Sequence, residues 1–182
     1  MSEPLYVAFF RAMNLGQRRF RSPTSAELVA AFDGAGAVGV VNVQSNGTVI
    51  FGCPGAAPGA VLGRVQATLR ADLGYADIAV VREADWVTAL AEHLDPGLVG
   101  GEVTLFDSVR VPRLALPWTE AEHGELTVHA LDLRHAVTSW SSVRSGSNAT
   151  TVLAEMVGTR VTSRGIPTML RLAQRLQRLR PT

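Results

Sequence analysis

The sequence predicts an α+β protein in two parts: a βαββαβ domain over residues 1–94 and a smaller α+β subdomain over 95–182 that ends in a basic amphipathic helix. Three observations predict it. β-forming runs and stretches with a 3.6-residue apolar period follow one another in the order strand, helix, strand, strand, helix, strand. Asn46-Gly47 separates the second and third strand runs, which marks a hairpin. Asp95-Pro96-Gly97 breaks the chain once that series and one connecting helix are complete.

Leu5 to Arg11 is dense in aromatic and branched side chains and reads as a buried first strand. Ala12 to Arg21 is a loop. Thr24 and Glu27 have capping-box spacing, in which each side chain satisfies an orphan amide of the other, so the first helix begins near Thr24. Leu28, Val29 and Phe32 give it an apolar stripe, and Gly34 or Gly36 ends it. Val38 to Val43 and Thr48 to Phe51 are two strands. A type I′ turn is expected between them, with positive φ at both Asn46 and Gly47. Val61, Val65, Leu69 and Leu73 share one face of a helix from about Ala60 to Leu73, and Gly74 is placed to end it. Ile78 to Arg82 is the fourth strand. This order is that of a ferredoxin-like domain, four antiparallel strands with two helices on one face.

Glu83 to Leu94 reads as a connecting helix with Trp86, Val87 and Leu90 on its apolar side. Beyond the break, Glu102 to Phe106, Leu126 to Leu131 and His135 to Trp140 are expected strands, and Pro112 and Pro117 punctuate the loop between the first two. Asn148 to Val157 is an expected helix, capped by Ser147 or Asn148 and stopped by Gly158. A last helix begins at Pro167, a residue suited to a first turn. Met169, Leu172, Ala173 and Leu176 form its apolar stripe; Arg171, Arg175 and Arg178 form a basic one.

Of the 182 residues, 47% are hydrophobic and 18% charged, which suits a packed core and excludes a disordered chain. No run approaches the roughly 18 apolar residues of a membrane span, and the first residues lack the pattern of a secretory signal. Cys53 is the only cysteine, so an internal disulfide is excluded and a reducing, cytoplasmic setting is expected. The Asn148-Ala149-Thr150 sequon is then expected to be a coincidence. All 17 basic residues are arginine, a bias that points to a GC-rich bacterial coding sequence. Their positions are more informative. Arg18, Arg19 and Arg21 surround Phe20, and no acidic residue follows Glu155, whereas Arg160, Arg164, Arg171, Arg175, Arg178 and Arg180 do.

Three segments carry a resemblance. Arg11-Ala12-Met13-Asn14-Leu15-Gly16-Gln17 follows the first strand, Gln44-Ser45-Asn46-Gly47 leads into the apolar strand ending at Phe51, and Thr162-Ser163-Arg164-Gly165-Ile166-Pro167-Thr168 opens the last helix. In this order and spacing they resemble an uncharacterised bacterial family, the domain of unknown function numbered 1697. Gly165-Ile166 departs from the Asn-Trp of that pattern, and Val143-Arg144-Ser145-Gly146-Ser147 matches a basic family segment only loosely. The resemblance implies a ferredoxin-like domain with an α+β extension and no catalytic assignment.

Conventional chemistry is thinly supplied. His93, His123, His129 and His135 show no metal-ligand spacing, although His129 and His135 lie on neighbouring strands, so no metal and no cofactor are expected. Cys53 has no identifiable base and reads as an incidental thiol. Ser145-Gly146-Ser147 is neither a nucleophile elbow nor a phosphate loop. Glu120 and Glu122 read as solvated; Trp86, Trp118 and Trp140 are expected to pack, with a Trp118 ring open enough to stack on a ligand as the alternative. The favoured expectation is a non-catalytic binding protein with an arginine-bearing cleft for a small anionic ligand. Its residues are Arg11, Asn14, Gly16, Gln44, Ser45, Thr162, Arg164 and Thr168. Two alternatives stay open: an enzyme of unknown class using the same polar loops, and a nucleic-acid partner for the basic surface of Arg18, Arg19, Arg21, Arg171, Arg175 and Arg178. Nucleic acid is the less favoured partner, because a pI near 8.0 is modest for such a domain. No membrane partner is expected, and monomer and homodimer are both left open.

Overall fold

The apolar run that begins the sequence forms β1 (Leu5–Phe10), whose last four residues are buried. A computed structural model describes residues 3–120, 126–141 and 149–179. It divides into two units: residues up to Ala89 together with those from Arg175 onward, and Leu90–Gln174. The fold is mixed α+β, with two antiparallel sheets and five α-helices among the described residues.

In the first unit, β1 lies between β3 (Thr48–Gly52) and β4 (Ala79–Glu83), and β2 (Val38–Gln44) pairs with β3 at the edge. The order is β2-β3-β1-β4, antiparallel throughout. One face carries Ala8, Phe10, Val49 and Phe51 against Leu28 and Phe32 of α1 (Ser25–Gly34) and Val61, Val65 and Leu69 of α2 (Pro58–Leu73). Phe10 meets Phe32 edge-on at 6.2 Å between ring centroids, a favoured aromatic geometry. Val7, Phe9, Ile50 and Val80 on the opposite face are buried as well. Burial on both faces explains why β1 and β3 are continuous apolar runs and not alternating ones.

The expected capping box is formed. Thr24 accepts the Glu27 amide while Glu27 accepts the Thr24 amide. α2 starts at Pro58, earlier than expected, because proline costs nothing in a first turn whose amides have no partner. It ends at Gly74 with φ +70°.

The hairpin differs from expectation. Gln44 pairs with Thr48, so the loop has three residues and not two, and only Gly47 has positive φ. A third loop residue removes the need for positive φ at Asn46, since one left-handed residue closes such a turn. A Cβ on Gly47 would lie 2.7 Å from Met13 Sδ and 2.8 Å from Phe10 Cβ.

The second unit holds a five-stranded antiparallel sheet, β6-β7-β8-β5-β9. Its strands are β5 (Glu102–Leu105), β6 (Trp118–Thr119), β7 (Leu126–Leu131), β8 (His135–Trp140) and β9 (Thr162–Gly165). Leu153 and Val157 of α4 (Ala149–Val157) pack with Phe106, Val128, Ala136 and Val161. The short α3 (Ala84–Ala91) follows β4, and α5 (Ile166–Leu179) ends the described chain. The segment leading into the last helix differs from expectation: Thr162–Gly165 forms an edge strand, β9, paired with β5, and α5 starts at Ile166, one residue before the expected Pro167. The expected caps Ser147 and Asn148, the 143–147 segment, Glu122, His123 and Arg180 lie outside the described residues.

Gly47→Ala must accept both a left-handed backbone and two atoms inside normal contact distance. It is expected to lower stability by about 2–4 kcal/mol, measured by urea denaturation.

Candidate functional site

The residues after β1 form a rim at one end of the first sheet, stitched on both sides. The Phe10 amide donates to the Gly47 carbonyl at 2.9 Å and the Leu15 amide to the Ser45 carbonyl at 2.8 Å, tying the loop to the β2–β3 hairpin. On the other side the Arg11 amide donates to the Ile78 carbonyl at 2.9 Å, and the Tyr75 hydroxyl donates to the Arg11 carbonyl. The Asn14 amide donates to Ser22 Oγ, a fully buried hydroxyl, and the Gly16 amide to the Pro23 carbonyl. Gly16 at φ +81° suits that turn; Ala12 at φ +50° is a non-glycine held in a costly conformation.

Arg11, Asn14, Gly16, Gln44 and Ser45 are thus brought to the same end of the sheet. Arg11 Nη1 lies 3.3 Å and 3.2 Å from the two oxygens of Asp77, a partner that no sequence signal singles out. Asp77 also accepts the Ile78 amide at 2.8 Å. Arg11 keeps 40% of its side chain exposed, and its Nε and Nη2 make no hydrogen bond among the described residues. The Asn14 carboxamide and Ser45 hydroxyl, both exposed, are likewise uncommitted among the described residues. Gln44 accepts from the Asn46 side chain.

The arginine cluster folds as a single 3-10 turn, Arg18–Phe20. Arg18 pairs with Glu27, Arg19 stacks on Phe20 at 4.6 Å from the ring centroid, and Arg21 reaches the Gly74 carbonyl. The Thr24 backbone amide and then Arg18 hold the Glu27 carboxyl at about 2, against an ordinary value of 4.5. Glu27 also lines a cavity of about 300 Å³ between α1 and α2, floored by Ala31, Leu69 and Leu73 with Asp72 on the far wall.

The other expected site residues belong to the second unit. Thr162 and Arg164 lie on β9 and are buried, with Arg164 Nη1 donating to Thr162 Oγ1 and to the Ser163 carbonyl. Thr168, on α5, accepts from Arg171. Arg171, Arg175 and Arg178 are exposed on α5. His129 Nε2 lies 2.7 Å from Ser139 Oγ, whereas His135 Nδ1 lies 2.9 Å from Asp132, so each imidazole has its own partner. Burial pushes the Asp132 carboxyl up, but the Arg134 amide and His135 outweigh it and leave the pKa below its usual value. Trp118 is half-buried against the second core, the packed arrangement expected of it and not the stacking alternative. Burial, helped by the charge of Glu3, pushes the Cys53 thiol up, away from nucleophilic use. Among the described residues no three His, Cys, Asp or Glu side chains are grouped to hold a metal, and no helix is long and apolar enough to cross a membrane.

Sequence reasoning also missed Glu102 of β5. Burial raises its carboxyl pKa, and it makes no hydrogen bond or ion pair among the described residues. The available signal was a lone acid opening an apolar strand.

The model of a family described as a protein of unknown function, DUF1697, matches residues 4–97. No curated protein matches the chain. A solved structure of a conserved bacterial protein from Streptococcus pneumoniae is similar at a TM-score of 0.63 and 12% identity, covering 96% of this chain and 99% of that one. At that identity the likeness concerns the fold alone.

Because Glu27 titrates lower in the folded chain than in the unfolded one, its contribution is complete above pH 4.5 and is lost as pH falls through about 2. Glu27→Gln keeps an acceptor and removes the charge. It is expected to lower Tm at neutral pH, with the gap to the parent protein closing between pH 4.5 and 2 in thermal melts followed by circular dichroism.

Proposed function

The chain belongs to DUF1697, a family of proteins of unknown function, and from that premise we propose that it is a non-catalytic binding protein whose β1 rim accepts a small oxyanion, phosphate or carboxylate. The ligand groups are Arg11, Asn14 and Ser45, with Gly16 shaping the loop. The strand order β2-β3-β1-β4 with two helices on one face supports reading the supporting unit as ferredoxin-like.

One observation carries the proposal. The backbone amides of Arg11 and of residues 14–17 are committed to neighbouring structure, while the Asn14 and Ser45 side chains and one edge of Arg11 are uncommitted among the described residues. A surface loop held only for folding has no use for that division. A binding loop has, because a fixed backbone reduces the ordering cost of binding and uncommitted donors supply its enthalpy. Arg11 is half committed. Asp77 orients the guanidinium through Nη1 and leaves an adjacent pair, Nε and Nη2, spaced for two parallel hydrogen bonds to one oxyanion. Asp77 also opposes an incoming anion, so it tunes affinity down while it fixes geometry. The strain at Ala12 fits a loop whose shape is set by more than its own preferences.

Titration of isotope-labelled protein with inorganic phosphate, and separately with citrate, tests this. Saturable amide shifts are expected in residues 11–17 and 45–47. Hydrogen bonds to a charged group contribute about 1.5–3 kcal/mol, so Arg11→Gln is expected to weaken binding roughly 10- to 150-fold. Asp77→Asn is expected to strengthen it. Unchanged binding in Arg11→Gln, or shifts confined to Arg171, Arg175 and Arg178, would overturn the assignment in favour of the α5 surface.

A further inference from the structure

The second sheet contains an arrangement that the β1 rim does not involve. β5 is flanked by β8 and β9, and Glu102 stands opposite Thr138 on one side and Gly165 on the other. Thr104, two residues along, stands opposite Ser163. Directly opposed residues and residues two apart share a face of an antiparallel sheet, so Glu102, Thr104, Thr138 and Ser163 lie together on one face.

Their polar atoms are not matched among themselves. Thr104 Oγ1 and Ser163 Oγ are 2.7 Å apart and satisfy each other in part. Thr138 is fully buried, and its Oγ1 has no hydrogen-bond partner among the described residues. Glu102, half-buried beside it, has none among the described residues either, and burial alone raises its pKa. A buried hydroxyl and a desolvated carboxyl on adjacent strands, both unsatisfied, are exceptions to the matching that folded proteins maintain almost everywhere. Such exceptions concentrate where a structure is kept for something other than stability. Gly165 adds an opening. With no side chain it leaves the flank of Glu102 clear toward the edge strand, and a Cβ there would meet nothing nearer than Pro167 Cδ at 3.8 Å.

We infer that Glu102, Ser163 and Thr138 form a binding site for a primary ammonium group, entered over Gly165 at the β9 edge. The chemistry of the cluster selects the ligand. An ionised carboxylate and hydroxyl oxygens present acceptors, and an ammonium group carries three donors and no acceptor. One N–H meets Glu102 and another Ser163 Oγ. Thr138 Oγ1, unpartnered among the described residues of the free chain, becomes a donor to the carboxylate when the bound ammonium group draws Glu102 toward it. A single carboxylate is too little for a calcium or magnesium ion, which gathers six or more oxygens. A second anion would be repelled by Glu102. The inference stands apart from the reading of the β1 rim, since the two sites share no residue.

Titration of the whole labelled chain with propylammonium chloride, at constant ionic strength and with propanol as the neutral control, decides it. Saturable shifts at residues 102, 138 and 163–165 are expected with the amine and not with the alcohol. Glu102→Gln is expected to weaken binding at least tenfold while raising Tm, because it removes an unmatched charge without changing shape. Gly165→Val, at a position with room for its Cβ, is expected to leave Tm close to the parent's and to block entry. A parallel titration with Nα-acetyl-lysine amide separates the sources: tighter binding than propylammonium marks a lysine of a partner protein, and weaker binding marks a free amine. Absence of saturation with either amine, equal binding by Glu102→Gln, or a Tm lowered by that substitution overturns the site.

Discussion

The close approach of Gly47 to Met13 and Phe10 is the constraint on which the first unit's arrangement turns. The hairpin between β2 and β3 must lie against the chain leaving β1, and the contact is tight enough that a single Cβ does not fit. Bringing two backbones together this way makes the Phe10–Gly47 and Leu15–Ser45 hydrogen bonds geometrically available. Those bonds hold Asn14 and Ser45 on one rim with uncommitted side chains. Removal of the glycine would therefore act on packing and on the candidate site at once. A glycine at the turn serves the left-handed φ that closes a three-residue loop, and the same missing side chain serves the approach.

Local signals were the ones the sequence made legible. Thr24 and Glu27 satisfy each other over three residues, and nothing elsewhere in the chain alters that. Val61, Val65 and Leu69 all face the core, as their four-residue spacing requires. The turn at Asn46 was less legible because its type depends on register. β2 carries extra residues relative to β3, so Gln44 meets Thr48 and the loop gains a residue. The β9 strand was hidden for a related reason. Thr162–Gly165 is a four-residue edge strand paired with β5, far back in the sequence, and Ile166 begins a helix at once. The β-branched pair at its start, Val161 just before the strand and Thr162 within it, was the local hint. Arg11 could be picked out as a site residue, but its partner Asp77 could not, because the pairing exists only once β1 and β4 are side by side.

The two candidate sites treat polar groups differently. At the first, the β1 rim, the uncommitted side chains are exposed, where water satisfies them at little cost. In the second, Thr138 and Glu102 are inside or half inside the sheet, where water does not substitute freely. Exposed polarity of the first kind is cheap to keep and says little by itself; it becomes informative because the amides of Arg11 and of residues 14–17 beneath it are committed. Polarity of the second kind is destabilising, so its presence is informative without further support. The rim therefore needs a binding measurement to become a site, whereas the β5 cluster already demands an account.

Arginine count is a poor guide to anion binding in this chain, and the structure shows the physical reason. A guanidinium offers five donors in a fixed fork, and a chain without lysine uses that fork for carpentry. Arg64 places Nε and Nη2 on the Ala35 carbonyl at the end of α1, Arg21 reaches the Gly74 carbonyl at the end of α2, and Arg164 donates to the Ser163 carbonyl. Each such bond meets a carbonyl that a helix end or a sheet edge would otherwise leave to water. The quantity that matters for an anion is the number of adjacent donors left over after this use. Arg11 is informative on that measure. Its carboxylate partner occupies one nitrogen, the opposite edge of the fork stays open, and its own amide and carbonyl are held by Ile78 and Tyr75. An arginine fixed by one acid and open on its other edge is already oriented for a second.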